Sequence, residues 1–252
     1  MKKNKIDKEI KRHFANRNSF TRQELFNFYH GYEEDLNYQT FGWRVFDLKK
    51  KEIIHSIGRG IYKINDKEVY EPAIDVKTKD IYTKLQEKYY DLKIIIWNTR
   101  WINEFSLHQT FNNFYLVEVR SDTTESVFFS LKDLGFQNVY LKPNEEKMYQ
   151  YVLNEEGPIV VLPMISRSPS RRIEKVRVPK LEKILVDIFC DEKTFYSYQG
   201  NELKNIYRNA LRTYTINFSE LINYSRRRGR DKEIEEYLSL NFSEYLGEDF
   251  QW

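Results

Sequence analysis

The chain has 252 residues, 40% of them apolar and 31% charged, with 41 Lys and Arg against 38 Asp and Glu. This composition fits a globular protein of one large or two ordinary domains, and no run approaches the 18 apolar residues of a membrane span. The single cysteine, Cys190, excludes an internal disulfide framework and points to a reducing compartment, the cytoplasm.

The net charge of +3 is unevenly spread. Residues 1–64 hold 14 Lys and Arg against 8 Asp and Glu, a local +6, and the remainder is slightly acidic at −3. A basic N-terminal quarter on an acidic body is the asymmetry of a nucleic-acid-binding module joined to something else. The 19 Tyr and 17 Phe residues carry less weight, because AT-rich codons supply them and core packing uses them.

The start, "MKKNKIDKEIKRHF", has lysines but no apolar segment, so no secretory signal is expected. Ile6, Ile10 and Phe14 recur at four-residue steps and predict a helix over 4–15. Thr21 with Glu24 forms a capping box ahead of a second helix, "RQELFNFYH", which ends at Gly31. Asn37 can cap a third, "YQTFGWRVFDLKKKE", whose apolar stripe is Phe41, Val45 and Leu48. "IIHSI", "GRG" and "IYKI" then read as two short strands joined by a tight turn. Three helices and a hairpin in this order predict a winged helix-turn-helix over residues 1–66, with Arg59 at the tip of the wing.

Residues 67–79 read as a linker, followed by an amphipathic helix around 78–90. Residues 80–252 predict a mixed α/β domain with a helical end. Strands are expected at 93–97, 114–119, 138–143 and 158–164, with helices at 123–135 and over "NEEKMYQYVLN" between them, and a short helix at "SLHQTF". "SRSPSRR" (166–172) reads as a basic loop. "PKLEKILVDIFCD", with Pro179 in its first turn, opens the helical last third.

Few motifs carry chemistry. His13, His30, His55 and His108 have no ligand spacing, and there is neither a P-loop nor a G-x-G-x-x-G, so no metal or cofactor is expected. Asp75–Lys77 and Asp91–Lys93 fit a fragment of a metal-dependent nuclease motif, and Glu118 could be a buried strand acid. The clusters Arg167, Arg171, Arg172 and Arg226, Arg227, Arg228, Arg230 either extend a phosphate-binding surface or are a loop and a solvated helix end.

The wing "IGRGIYK", the middle segments "WNTRWINEFSLHQTF", "YLVEV" and "VVLPMISRSP", and "VRVPKLEKILVDIFCD" together resemble the AbiEi-like antitoxins of abortive-infection toxin–antitoxin systems. The resemblance implies a repressor that binds inverted repeats in double-stranded DNA upstream of its own operon. It also implies a functional partner, a nucleotidyltransferase-type toxin, which the antitoxin neutralises without stably holding it. Gly58, Arg59 and Gly60 match the wing, and Tyr38 to Arg44 match the start of the recognition helix.

The expected DNA contacts are therefore Gln39, Thr40 and Arg44 on base edges, with Tyr38 and Trp43 beside them on the same helix. Arg22, Lys49, Lys50 and Arg59 are expected at phosphates or, for Arg59, in the minor groove. The alternative is a phage-defence or restriction-type nuclease that uses the winged helix for targeting. A protein-interaction module with an incidental basic N-terminus is a third reading.

Overall fold

The computed structural model describes residues 2–110 and 112–246. The chain divides into two compact units. One gathers the described residues up to Val69 with Leu211–Asn223 and those from Lys232 onward; the other is Tyr70–Ala210 with Tyr224–Asp231.

The first unit opens with helix α1 (Lys2–Phe14), strand β1 (Phe20–Thr21), helix α2 (Arg22–His30) and helix α3 (Tyr38–Lys50). Strands β2 (Ile54–Gly58) and β3 (Ile61–Ile64) complete it as an antiparallel hairpin. The local signals act as chemistry requires. Thr21 Oγ1 accepts from the Glu24 N–H, and the Glu24 carboxylate accepts from the Thr21 N–H, closing the capping box. Asn37 Oδ1 accepts from the Thr40 N–H at 2.8 Å to cap α3. The stripe Phe41, Val45 and Leu48 is buried against Ile10, Phe14, Phe20, Leu25 and Tyr29, each such side chain contributing about 1.5–3 kcal/mol.

β1 was not expected. It is two residues long and pairs with β3, Phe20 opposite Tyr62 and Thr21 opposite Ile61, which makes a three-stranded sheet in the order β1-β3-β2. The register of the hairpin shifts between Ser56 and Gly58, so Ile57 is the extra residue of a bulge. Gly58 then belongs to the strand, and the reversal is carried by Arg59 and Gly60, the latter at φ +74°. Further along the chain, Thr215 N–H donates to the Glu68 carbonyl at 2.9 Å, and the unit also takes in the end of α8 (Asn201–Thr213), most of α9 (Phe218–Arg227) and α10 from Lys232 (Asp231–Leu246), which kinks at Phe242.

The second unit is a mixed α/β body. α4 (Val76–Lys88) precedes β4 (Ile95–Asn98) and β5 (Tyr115–Val119); α5 (Thr124–Asp133), β6 (Val139–Leu141), α6 (Glu145–Gln150) and β7 (Ile159–Pro163) follow. The sheet order is β4-β5-β7-β6, with β5, β7 and β6 parallel and β4 antiparallel at the edge. β4 and β5 are buried on both faces, which is why both read as near-continuous apolar runs. α7 (Leu181–Cys190) closes the body with the start of α8.

Three expectations fail here. Residues 106–110 form no helix, and the turn of 3-10 helix lies earlier, at Thr99–Glu104; Phe111 falls outside the described residues. The end of the basic loop, Ser170 to Arg172, becomes strand, because β8 (Ser170–Ile173) pairs with β9 (Val176–Pro179). Pro179 therefore ends β9, and α7 starts at Leu181 behind Lys180. Among the described residues no helix is long and apolar enough to cross a membrane.

Candidate nucleic-acid interface

Packing three residues of α3 inward leaves the opposite face of the helix outward. At 100° per residue Gln39, Trp43, Phe46 and Lys50 fall within one narrow outward stripe, and all four are exposed. Trp43 is 72% and Phe46 57% exposed, with their rings edge-to-face at 6.0 Å between centroids. Phe46 was missed from the sequence, which assigned it neither to the buried stripe nor to the expected contacts. Its position off the Phe41/Val45/Leu48 stripe is the signal that could have found it.

The other predicted contacts divide by flank. Tyr38 and Lys49 stand on the side of α3 that meets Arg22. The Arg22 guanidinium lies 5.3 Å from the Tyr38 ring centre and 5.0 Å from that of Phe41. Its Nη1 also donates to the Tyr62 hydroxyl at 3.4 Å, and its backbone N–H donates to the Gly60 carbonyl at 2.7 Å. Arg22 thus ties α2, α3 and the hairpin together through cation–π contacts and hydrogen bonds. Lys49 Nζ sits 4.9 Å over the Tyr62 ring, and burial, with Arg22 nearby, pushes its ammonium below the usual lysine range.

Thr40 and Arg44 occupy the far flank. Thr40 is exposed at the first turn, whereas Arg44 is half-buried and paired with Glu33, so its guanidinium is held by the protein itself. Arg59 is exposed at the hairpin turn, and among the described residues it makes no ion pair or hydrogen bond. Gly58 and Gly60 frame it, and Lys50 is exposed at the end of α3. The structure thus leaves Gln39, Thr40, Trp43, Phe46, Lys50 and Arg59 available to an external partner. It occupies Arg22, Lys49 and Arg44 with contacts of their own.

The second unit gives its charged residues internal work. Lys183 is fully buried; its ammonium donates to Glu118 Oε1 at 2.6 Å and to Asp187 Oδ2. Trp97 Nε1 donates to the same Glu118 oxygen at 3.1 Å, and the Tyr224 hydroxyl donates to Asp187 Oδ1 at 2.8 Å. Arg228 lies 3.8 Å from Asp187 and brings the network to neutrality. Burial alone would push Lys183 down, but Asp187 and Glu118 outweigh it and hold the ammonium well above the ordinary lysine range.

Asp75 is the N-cap of α4, accepting from the Thr78 N–H at 2.7 Å, and Lys77 Nζ donates to the Gly157 carbonyl at 2.7 Å. Neither Asp75–Lys77 nor Asp91–Lys93 lies on a strand of the sheet. Among the described residues no group of three or more His, Cys, Asp and Glu is placed to hold a metal ion. Members of both arginine clusters are ion-paired: Arg171 with Glu71 at 2.8 Å and Arg226 with Asp231 at 3.1 Å.

No curated protein matches the chain. One family model does, over residues 40–244, a span that begins inside α3 and takes in the hairpin, the α/β body and the C-terminal helices. The chain therefore belongs to a family of unknown function, DUF6577.

Proposed function

We propose that the N-terminal part of the chain is a winged helix-turn-helix that binds double-stranded DNA, with α3 entering the major groove and the β2–β3 turn acting as the wing. The observation that carries this reading is the outward stripe of α3, left exposed beside a basic hairpin tip. The order of helices and strands and the β1-β3-β2 sheet support it, as does the +6 charge of residues 1–64. In this reading Gln39, Trp43 and Lys50 approach the groove, Arg59 meets a phosphate or the minor groove, and Arg22, Lys49 and Arg44 brace the elements that present them.

The resemblance to AbiEi-like antitoxins extends the proposal. The chain would repress its own operon from an inverted repeat and neutralise a nucleotidyltransferase-type toxin encoded beside it, with no catalytic step of its own. The nuclease alternative gains no support from its candidate acids, since Asp75 caps a helix and Glu118 is engaged in a buried ion pair.

The test is fluorescence anisotropy of the full chain on DNA upstream of its own gene, against a scrambled duplex of equal length, over a range of salt. Preference for the upstream duplex by roughly a thousandfold is the expected result for a specific regulator. Equal, steeply salt-dependent binding to both would leave only a basic surface.

A further inference from the structure

The DNA-binding reading leaves open what α3 would select, and its outward stripe has an unusual chemistry for a helix meeting a polar groove. Phe46 has no hydrogen-bonding group, and Trp43 has a single donor. Neither can read the donor and acceptor pattern of base edges. The one apolar group that B-DNA displays in the major groove is the C5-methyl of thymine. On the helix the two side chains stand three residues apart, a rise of about 4.5 Å, against about 3.4 Å between stacked base pairs. Two rings so spaced can address neighbouring steps.

The residues around the pair agree with a nucleic-acid partner more than with an apolar protein. Gln39, one turn before Trp43 on the same stripe, is the side chain whose amide matches adenine N6 and N7, so an A·T pair offers a partner to both residues. Lys50, one turn after Phe46, is exposed and cationic. The nearby carboxylate of Asp47 is paired at 3.0 Å to Lys51, an ammonium that Asp7 shares, and the stripe itself carries no acidic residue. A bare apolar patch of this kind marks a binding surface, and its flanking charge selects the partner.

Resting on the DNA-binding reading, we infer that α3 selects A·T pairs whose thymine methyl groups pack on Trp43 and Phe46 while Gln39 addresses adenine. Specificity would then be carried by apolar contact, with Lys50 and Arg59 supplying sequence-independent affinity.

The test replaces every thymine of the upstream duplex by deoxyuridine, which removes the methyl groups and keeps every hydrogen-bonding edge. Affinity of the full chain should fall about fourfold for each methyl contacted, roughly tenfold or more for two. Trp43→Ala and Phe46→Ala should each shrink that penalty, and the double variant should abolish it. Sequence-specific binding that is indifferent to deoxyuridine in the wild-type chain would overturn this inference and leave the DNA-binding reading standing. Failure of every duplex to bind at low salt would remove both. Indifference to deoxyuridine together with a dimer-to-monomer shift of Trp43→Ala in sedimentation would assign the pair to a contact between copies instead.

Discussion

The Arg44 Nη2 donates to both oxygens of the Glu33 carboxylate, at 3.1 and 3.0 Å, fastening the far flank of α3 to the turn that follows α2. Both side chains are about 30% exposed, and a charge-assisted contact of this kind contributes about 1 kcal/mol. Arg44→Ala should therefore lower stability by about that amount in a denaturant melt. Its effect on DNA affinity should be smaller than that of Arg59→Ala, since the guanidinium is already committed. A melt unchanged by Arg44→Ala, with affinity lost, would return Arg44 to the list of base-reading residues.

Arg59 supplies the contrasting case. It is exposed at the hairpin turn and holds nothing in place. Removal of its side chain should change folding stability by less than about 0.5 kcal/mol. If the turn meets a phosphate, Arg59→Ala should weaken binding to all sequences alike and reduce the slope of log affinity against log salt by about one. Unchanged affinity and slope on the upstream duplex would remove the wing from the contact surface.

What could be read in the chain was local. Caps at Thr21 and Asn37 and the stripe Phe41, Val45, Leu48 depend on neighbours within one or two turns, and they stand where the spacing puts them. β1 could not be read, because two residues become a strand only through β3, some forty residues on. β8 was hidden for a related reason: "SRSPSRR" has no apolar alternation, and its last three residues become strand by pairing with β9. The commitment of Arg44 to Glu33 depends on how α3 packs beside the turn before it, and the grouping of Leu211–Asn223 with the N-terminal unit joins segments far apart in sequence. Periodicity carries no record of such contacts.

Gly42 looks costly inside α3, and its surroundings show no steric reason for it. A methyl group added there would meet its nearest neighbour, Arg22 Nη2, at 3.8 Å, an ordinary contact. Glycine in a helix interior is worse than alanine by about 1 kcal/mol. Gly42→Ala should thus raise stability by about that amount, seen as a higher denaturant midpoint with an unchanged slope. Destabilisation would mean that Arg22 cannot give way. Weaker DNA binding at raised stability would mean that the missing side chain makes room for the duplex.

Lys183 tests the second unit. Its ammonium is fully buried between Glu118 and Asp187 and has its pKa raised, so its contribution is complete below about pH 10 and is lost only as pH climbs through that elevated value. Lys183→Met removes the cation and keeps the volume. Arg228 still faces Asp187 at 3.8 Å, so Glu118 becomes the stranded charge, at a cost of about 3–5 kcal/mol near neutral pH. Without Lys183 the folded-state pKa of Glu118 must lie above its unfolded value. The deficit should accordingly be smallest in acid, below about pH 4, and should grow as pH rises through the folded value. Adding Glu118→Gln to Lys183→Met should recover a large part of the loss at pH 7 and flatten the pH dependence, as read in urea melts from pH 4 to 8. A single variant as stable as the wild type across that range would mean that water or a rearranged Arg228 replaces the ammonium, and that the network does not hold this body together.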